Sequence, residues 1–155
     1  MITCNNIKEL KTIISQFDKD ILFRGSGIYK KRIYPRMYKN KKLIFATNKL
    51  ILALSYMRCK NFENKYFVAQ NYNKNENKMY LIEQEKDNIK KMFSCTGYIY
   101  ILDKNKFKKT TFDQLKDVEF ISNEIQKPLL IIKIENVYEF IKDIKNIVFK
   151  YINTL

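Results

Sequence analysis

Three short segments combine polar side chains with apolar runs, and they hold the residues that could do chemistry. The first ends in Arg24-Gly25-Ser26, the second contains Phe45-Ala46-Thr47, and the third contains Glu119. The chain has no histidine, which excludes Ser-His-Asp and Cys-His catalysis as well as a histidine general base. It also lacks the glycine-rich phosphate-binding patterns of dinucleotide folds and P-loop enzymes. Any enzymatic function must therefore use carboxylates, hydroxyls, tyrosine, lysine and arginine.

The first of these segments follows a predicted helix and strand. Apolar residues recur every three or four positions over residues 7–17, which indicates an amphipathic helix with one buried stripe. Residues 20–26 then place three consecutive apolar residues before a glycine-containing turn, which predicts a buried strand. Arg24 and Ser26 are therefore expected at a strand end, where functional sites commonly lie.

The second segment is predicted to lead from a strand into a helix. Residues 43–46 form a short apolar run that indicates a strand, and Thr47 or Asn48 can cap the helix that follows. Tyr56 is expected near the end of that helix. The predicted buried face of the helix consists of Leu50, Ile51, Ala53, Leu54 and Met57.

The rest of the chain predicts mostly strands and then a closing helix. The asparagine-rich residues 71–77 indicate a hairpin-like or disordered loop, and apolar residues at helical spacing predict a helix over residues 137–152. This order of elements indicates an α+β fold with an antiparallel or mixed sheet. Strands are predicted where apolar and β-branched residues dominate, over residues 65–70, 79–84, 97–102, 118–122 and 129–134.

The three segments, in this order, resemble those of the ADP-ribosyltransferase superfamily. In that superfamily a first strand carries an Arg-Gly or His-Gly pair, a second strand carries a Phe-Ala-type segment before a helix, and a late strand supplies a catalytic glutamate. The resemblance covers about residues 21–134. It implies a single domain over residues 1–155, built from split antiparallel or mixed sheets. It also implies an N-terminal helix, a helix after the second strand and a C-terminal helix.

The resemblance also implies a role for each matching residue. Arg24 would pair with a pyrophosphate oxygen of NAD, the backbone of Gly25 would meet the nicotinamide amide, and Ser26 matches the next polar position. Glu119 would bind a ribose hydroxyl and stabilise the positively charged transition state as nicotinamide leaves, which requires no proton donor. Glu124 is the competing residue for the catalytic position. The second segment and its helix would complete the NAD site with Phe45, Thr47 and the ring of Tyr56.

A strongly basic segment follows Ser26. Its cations interleave with tyrosines over residues 28–42, which are predicted to form a loop, and such a pattern suits phosphates and bases. The cations singled out for phosphate or nucleic-acid binding are Lys30, Lys31, Arg32 and Arg36. The net charge of +14 favours an acidic partner, namely nucleic acid, nucleotide phosphates or an acidic protein. The alternative to an NAD-dependent transferase is therefore a non-catalytic basic binding module of a phage or mobile-element type.

Composition sets the broad class of the protein. A chain of 155 residues with 46% hydrophobic residues can bury a core without disulfides or metals, and no metal site is expected. Cys4, Cys59 and Cys95 are far apart in the sequence, so we expect buried thiols in a reducing compartment. No apolar run approaches the roughly 20 residues of a membrane span, which together with the cysteine pattern predicts a cytoplasmic protein without a membrane partner.

Overall fold

The computed structural model describes residues 1–62, 68–111 and 115–152. In this part of the chain, strands and four helices form a mixed α+β structure. The helices are α1 (Ile7–Ser15), α2 (Leu50–Leu54), α3 (Asn88–Phe93) and α4 (Val137–Ile141). The strands are β1 (Ile2–Thr3), β2 (Ile21–Ser26), β3 (Arg36–Tyr38), β4 (Lys41–Thr47), β5 (Val68–Asn73), β6 (Lys78–Glu83), β7 (Gly97–Asp103), β8 (Lys108–Lys109), β9 (Glu119–Ser122), β10 (Leu130–Ile134) and β11 (Ile147–Tyr151).

Two sheets organise these strands. The larger has the order β1-β10-β7-β2-β4-β9-β8, with β3 paired to β4, and the smaller has the order β11-β6-β5. The larger sheet is antiparallel except for β1, which runs parallel to β10. In the smaller sheet, β6 is antiparallel to β5 and parallel to β11. The predicted strands of the first half and the middle of the chain are thus confirmed, although residues 65–67 lie outside the described residues.

The larger sheet carries a hydrophobic core on each face. Successive residues of β2 enter different cores, because side chains alternate along a strand: Leu22 joins the smaller core and Phe23 the larger one. Leu10 of α1 is fully buried in the larger core. The predicted opening helix is thus confirmed, and its N-cap is Asn6, whose side chain accepts a hydrogen bond from the Glu9 N–H at 2.8 Å. Among the described helices, none combines the length and apolar character of a membrane span.

The basic segment contains more regular structure than predicted. Strands β3 and β4 form a hairpin in which Tyr38 pairs with Lys41. The two residues between them, Lys39 and Asn40, have φ of 45° and 67°. Positive φ at both positions is the geometry of the two-residue hairpin turn that fits the twist of the strands. The prediction of a loop over residues 28–42 was therefore wrong for this hairpin.

One other local prediction was wrong because long-range contacts decide the structure. The helix predicted over residues 137–152 ends at Ile141, and Ile147–Tyr151 instead form β11 beside β6. Pairing with the edge of β6 satisfies backbone groups that a longer helix would have satisfied internally. The hairpin interpretation of residues 71–77 is confirmed, since β5 and β6 pair antiparallel, although β5 extends to Asn73 and the turn is shorter than predicted.

Two of the three cysteines are paired. Cys59 and Cys95 form a disulfide, whereas Cys4 is a free, buried thiol. The expectation of three buried thiols was therefore wrong, because the fold brings together two residues that are 36 positions apart. Backbone hydrogen bonds reinforce this connection, since the Cys59 N–H donates to Met92 O and the Val137 N–H donates to Cys95 O, both at 2.9 Å. The disulfide thus fixes the chain after α2 to the chain after α3.

Removing the disulfide should destabilise the fold. We predict that replacing both Cys59 and Cys95 by serine lowers the free energy of unfolding by about 3 to 4 kcal/mol, because the open chain regains the entropy of a 36-residue loop. Urea denaturation monitored by circular dichroism measures the change. Dithiothreitol should destabilise the wild-type protein to the same extent and leave the double variant unaffected. Equal stability of the two proteins without reductant would contradict the pairing.

Candidate functional site

The larger sheet is split between β2 and β4. The two strands pair at one register position, Phe23 with Thr47, although each is fully described. Beyond this pair, β2 continues along β7 as far as Ser26, and β4 is paired with β9 from Thr47 back to Ile44. The facing edges of β2 and β4 therefore part, and a cleft opens between them.

Arg24 bridges the parting strands. Its Nη1 donates a hydrogen bond of 2.8 Å to Phe45 O, an acceptor that β2 would otherwise have satisfied. No carboxylate among the described residues forms a salt bridge with this guanidinium. Burial, and then the positive charge of Arg36, lower the pKa of Arg24. Arginine nevertheless stays protonated in proteins. The wall of the cleft thus contains a buried cation that has no carboxylate partner among the described residues. Such a cation favours the binding of an anion.

The cleft gathers the segments that the sequence singled out. Its volume is about 780 Å³, which lies in the range of small-molecule sites. All seven residues predicted for NAD binding and catalysis line it. The lining residues are Phe23, Arg24, Gly25, Ser26, Tyr38, Lys39, Phe45, Ala46, Thr47, Leu52, Tyr56, Arg58, Leu115 and Glu119.

Helix α2 and the residues after it form one wall of the cleft, close against β2. A Cβ atom at Gly25 would lie 1.8 Å from the carbonyl oxygen of Ala53, and one at Gly27 would lie 1.9 Å from that of Arg58. These distances are far inside van der Waals contact, so the wall can approach only a glycine backbone. Gly25 therefore has a packing role in addition to its position in the cleft.

Thr47 positions the strand that carries Glu119. The two residues are register partners in the pairing of β4 with β9. The buried Thr47 hydroxyl donates to Val118 O at 2.6 Å and accepts from the Lys49 N–H at 3.0 Å. The helix α2 has Lys49 as its N-cap, without a side-chain capping bond. The prediction that Thr47 or Asn48 caps this helix was therefore wrong, because the hydroxyl instead links the end of β4 to the residue before Glu119.

Burial perturbs both acidic groups on this side of the cleft. It raises the pKa of the half-buried Glu119 carboxyl, which makes no salt bridge within the described part of the chain. It also raises the pKa of the Tyr56 phenol, and the negative charge of Glu119 adds to this effect. Tyr56 therefore stays protonated at neutral pH. The Glu119 carboxylate is a destabilised anion that a nearby positive charge would stabilise.

The other described acidic residues near Glu119 in the sequence do not line the cleft. Asp117 has a φ of 68° and its carboxylate pairs with Lys109 at 3.2 Å. Glu124, the competing residue for the catalytic position, is exposed after the end of β9. Among Asp117, Glu119 and Glu124, Glu119 is thus the residue that lines the cleft. Within the described ranges, no three His, Cys, Asp or Glu side chains are grouped as metal ligands would be.

Residues 28–36 of the basic segment lie outside the cleft and are held by hydrogen bonds. The Tyr100 hydroxyl accepts a hydrogen bond from the Lys30 N–H and donates one to Ile28 O, both at 2.8 Å. Ile33 exchanges two backbone hydrogen bonds of 2.9 Å with Gln126. Lys30 and Arg36 are electrostatically close to Arg24. The four cations predicted to bind phosphate or nucleic acid, Lys30, Lys31, Arg32 and Arg36, are not among the lining residues.

Sequence reasoning missed part of the cleft. Tyr38 comes from the hairpin of β3 and β4, and its ring packs edge-to-face on Phe45 with 5.1 Å between ring centroids. Lys39 follows it in the turn, and its Nζ lies 5.4 Å from the Tyr38 ring centroid. Arg58 precedes the disulfide-bonded Cys59. The alternation of tyrosine and lysine was a signal for the first two residues, whereas nothing in the sequence around Arg58 indicated its position.

The perturbed carboxyl should lower stability at neutral pH. The pKa of Glu119 in the folded chain is raised above the ordinary value of 4.5, so its ionisation opposes folding as the pH rises. We predict that Glu119→Gln raises the midpoint of thermal unfolding at pH 7. The difference should vanish below about pH 4, where the carboxyl is protonated in both states.

Calorimetry of both proteins between pH 3 and pH 8 tests this expectation. The matched control is Glu124→Gln, which removes an exposed carboxylate near the same strand and shows whether the effect is specific to Glu119. A variant Glu119→Gln that is less stable than wild type at pH 7 would show that the carboxylate is a stabilising group.

Comparisons with known proteins do not identify a relative of this chain. No protein-family model, curated protein or solved structure matches it. The function of the cleft must accordingly be inferred from its own residues and their geometry.

Proposed function

We propose that the cleft binds NAD and that the chain is an ADP-ribosyltransferase. The observation that carries this proposal is the meeting of Arg24, Phe45, Tyr56 and Glu119 around one cleft of about 780 Å³. They come from separate strands and from the chain after α2, so their proximity is a property of the fold. The predicted roles require this proximity, because one NAD molecule must touch all of them.

The charges of the cleft suit the two ends of this substrate. Arg24 offers a cation without a carboxylate partner among the described residues, which suits the pyrophosphate. The ring of Tyr56 lies on the side of Glu119, where it can stack on the nicotinamide. Ser26 and the backbone of Gly25 offer polar groups at the parted edge of β2.

The proposed reaction is the transfer of ADP-ribose to an acceptor. The bond between ribose C1′ and the nicotinamide nitrogen breaks, and its electron pair neutralises that nitrogen. A lone pair of the acceptor forms the new bond to C1′, and the acceptor's proton passes to water. Glu119 stabilises the positive charge that develops on the ribose, and this charge in turn favours the carboxylate that burial has destabilised.

The role of Glu119 is tested by separating binding from chemistry. NAD at about 100 times its dissociation constant should stabilise the wild-type protein by roughly 2.7 kcal/mol, which raises the unfolding midpoint by about 5 to 10 °C. Glu119→Gln should keep this shift and lower the rate of nicotinamide release by about 100-fold or more, because the carboxylate acts mainly on the transition state.

Thermal unfolding with NAD and chromatographic assay of nicotinamide measure the two effects. Glu124→Gln is the control, and it should match the wild-type protein in both. An NAD shift without release would leave a nucleotide-binding cleft that lacks catalysis. The absence of any NAD shift in the wild-type protein would overturn the proposal.

A second candidate function is a non-catalytic basic binding module. It is favoured by residues 28–36 of the basic segment, which Tyr100 and Gln126 hold outside the cleft and in which Lys31 and Arg32 are exposed. Such a module, encoded by a phage or mobile element, would bind a nucleic acid or an acidic host factor. It would act as a toxin or as the antagonist of one. Its binding would be insensitive to Glu119→Gln and would weaken steeply with salt.

The cytoplasmic location inferred from the sequence belongs to the same proposal. Glutathione and thioredoxin keep cytosolic thiols reduced. In that compartment Cys59 and Cys95 would exist mainly as thiols, and the disulfide would form on oxidation or outside the cytoplasm. Alkylation of intact cells followed by mass spectrometry of the two cysteines distinguishes the compartments.

A further inference from the structure

A second groove lies next to the cleft on the larger sheet. Its volume is about 470 Å³. Its residues come from the start of β4, the end of β9 and strand β8. They are Lys41, Lys42, Leu43, Lys108, Ile121, Ser122 and Asn123. We call this the lysine groove.

The strand register shows that Lys41, Leu43, Lys108 and Ile121 point to the face that carries the cleft residues of β4 and β9, whereas Lys42 and Ser122 alternate to the other face. Ile121 lies directly opposite Phe45 on one side and Lys108 on the other, and residues opposite each other point to the same face. Thr47 and Glu119 form the next row on that face, two residues along each strand. Two residues of a strand span roughly 7 Å, so the groove begins about one row of side chains away from Glu119.

The lysine groove combines positive charge with an apolar floor. Lys41, Lys42 and Lys108 are exposed, and none forms a salt bridge with a carboxylate in the described ranges of the chain. Leu43 and Ile121 are half-buried between them. Cations that line one groove repel one another, which an anion with several charges relieves. The floor would remain exposed if the ligand were a small inorganic anion.

The aromatic pair of the cleft stands where the groove and the cleft meet. Phe45 is in the same row as Ile121, and Tyr38 packs on Phe45 with 38% of its own surface exposed. Phosphates that follow a row of lysines, with bases against apolar and aromatic side chains, are the mode in which single-stranded nucleic acids bind. A duplex keeps its bases stacked inside and could not reach this floor.

We propose that the lysine groove binds single-stranded nucleic acid and delivers one of its nucleotides to Glu119 as the acceptor of ADP-ribose. The binding step stands on the groove alone, whereas the acceptor step rests on the proposed function of the cleft. In that step a base nitrogen or a sugar hydroxyl oxygen forms the bond to ribose C1′ and releases its proton to water, while neutral nicotinamide leaves.

The binding step is tested with fluorescein-labelled oligodeoxythymidylate and oligouridylate of about 12 nucleotides, within the usual site size of such grooves. Lys41→Gln, Lys42→Gln and Lys108→Gln are combined in one variant. Loss of three phosphate contacts should weaken binding on the order of 50-fold at 0.15 M salt and reduce the slope of log K against log salt by about 2. Fluorescence anisotropy over a salt series measures both quantities.

A charge-matched control separates the groove from the general basicity of the chain. Combining Lys8→Gln, Lys11→Gln and Lys19→Gln removes three exposed lysines near the opening helix, and this variant should bind almost as tightly as the wild-type protein. Equal weakening in both triple variants would overturn the groove. A duplex of the same sequence that binds as tightly as the single strand would overturn the preference for single strands. Binding of polyglutamate without binding of any oligonucleotide would overturn the assignment of nucleic acid as the ligand.

The acceptor step has its own outcome. The oligonucleotide is incubated with protein and NAD, and its mass is measured for addition of ADP-ribose. Addition by the wild-type protein, with loss in the groove variant and an unchanged NAD thermal shift, is the expected result. Nicotinamide release with a bound but unmodified oligonucleotide would overturn the acceptor step and leave the proposed function intact. Groove-dependent binding without any nicotinamide release would instead overturn the proposed function and leave the groove as a binding site.

Discussion

The separation of β2 from β4 after a single pair is the constraint on which the rest of the site depends. A continuous ladder between the strands would close the space that Gly25, Ser26 and Phe45 now border. Each parted strand keeps its other neighbour, so the sheet loses few hydrogen bonds at the split. Arg24 satisfies one of the exposed carbonyls and brings a charge with it. The split thus supplies both the space for a ligand and the cation beside it.

The walls of the split are held by contacts that do not involve a ligand. Helix α2 approaches β2 so closely that only glycine fits at Gly25, and Thr47 joins β4 to the residue before Glu119. These restraints keep the polar groups in place before any ligand arrives. Preorganised dipoles and charges stabilise a transition state without first having to be reoriented. In the proposed reaction, the carboxylate that burial destabilises would meet the positive charge that develops on the ribose.

The sequence predicted what depends on local pattern and failed where distant segments meet. The apolar stripe of α1 and the apolar run before Arg24 are local signals, and the corresponding elements were found. Val148 and Tyr151 continue the helical spacing of α4, yet they lie in a strand because β6 offers an edge nearby. The disulfide and the position of Arg58 were not predicted for the same reason. Neither the proximity of Cys95 to Cys59 nor the route of the chain after α2 is encoded locally.

The disulfide makes part of the chain a covalent ring. The ring closed by Cys59 and Cys95 contains β5, β6 and α3, while β11, the third strand of the small sheet, comes from outside it. A protease that cut one peptide bond in the turn between β5 and β6 would open the backbone but leave the two pieces linked through sulfur. Arg58 and the wall of the cleft would stay attached to β7 by a covalent path. The site would therefore remain covalently connected after a break in this region. Without the disulfide, only noncovalent contacts would hold the two pieces together.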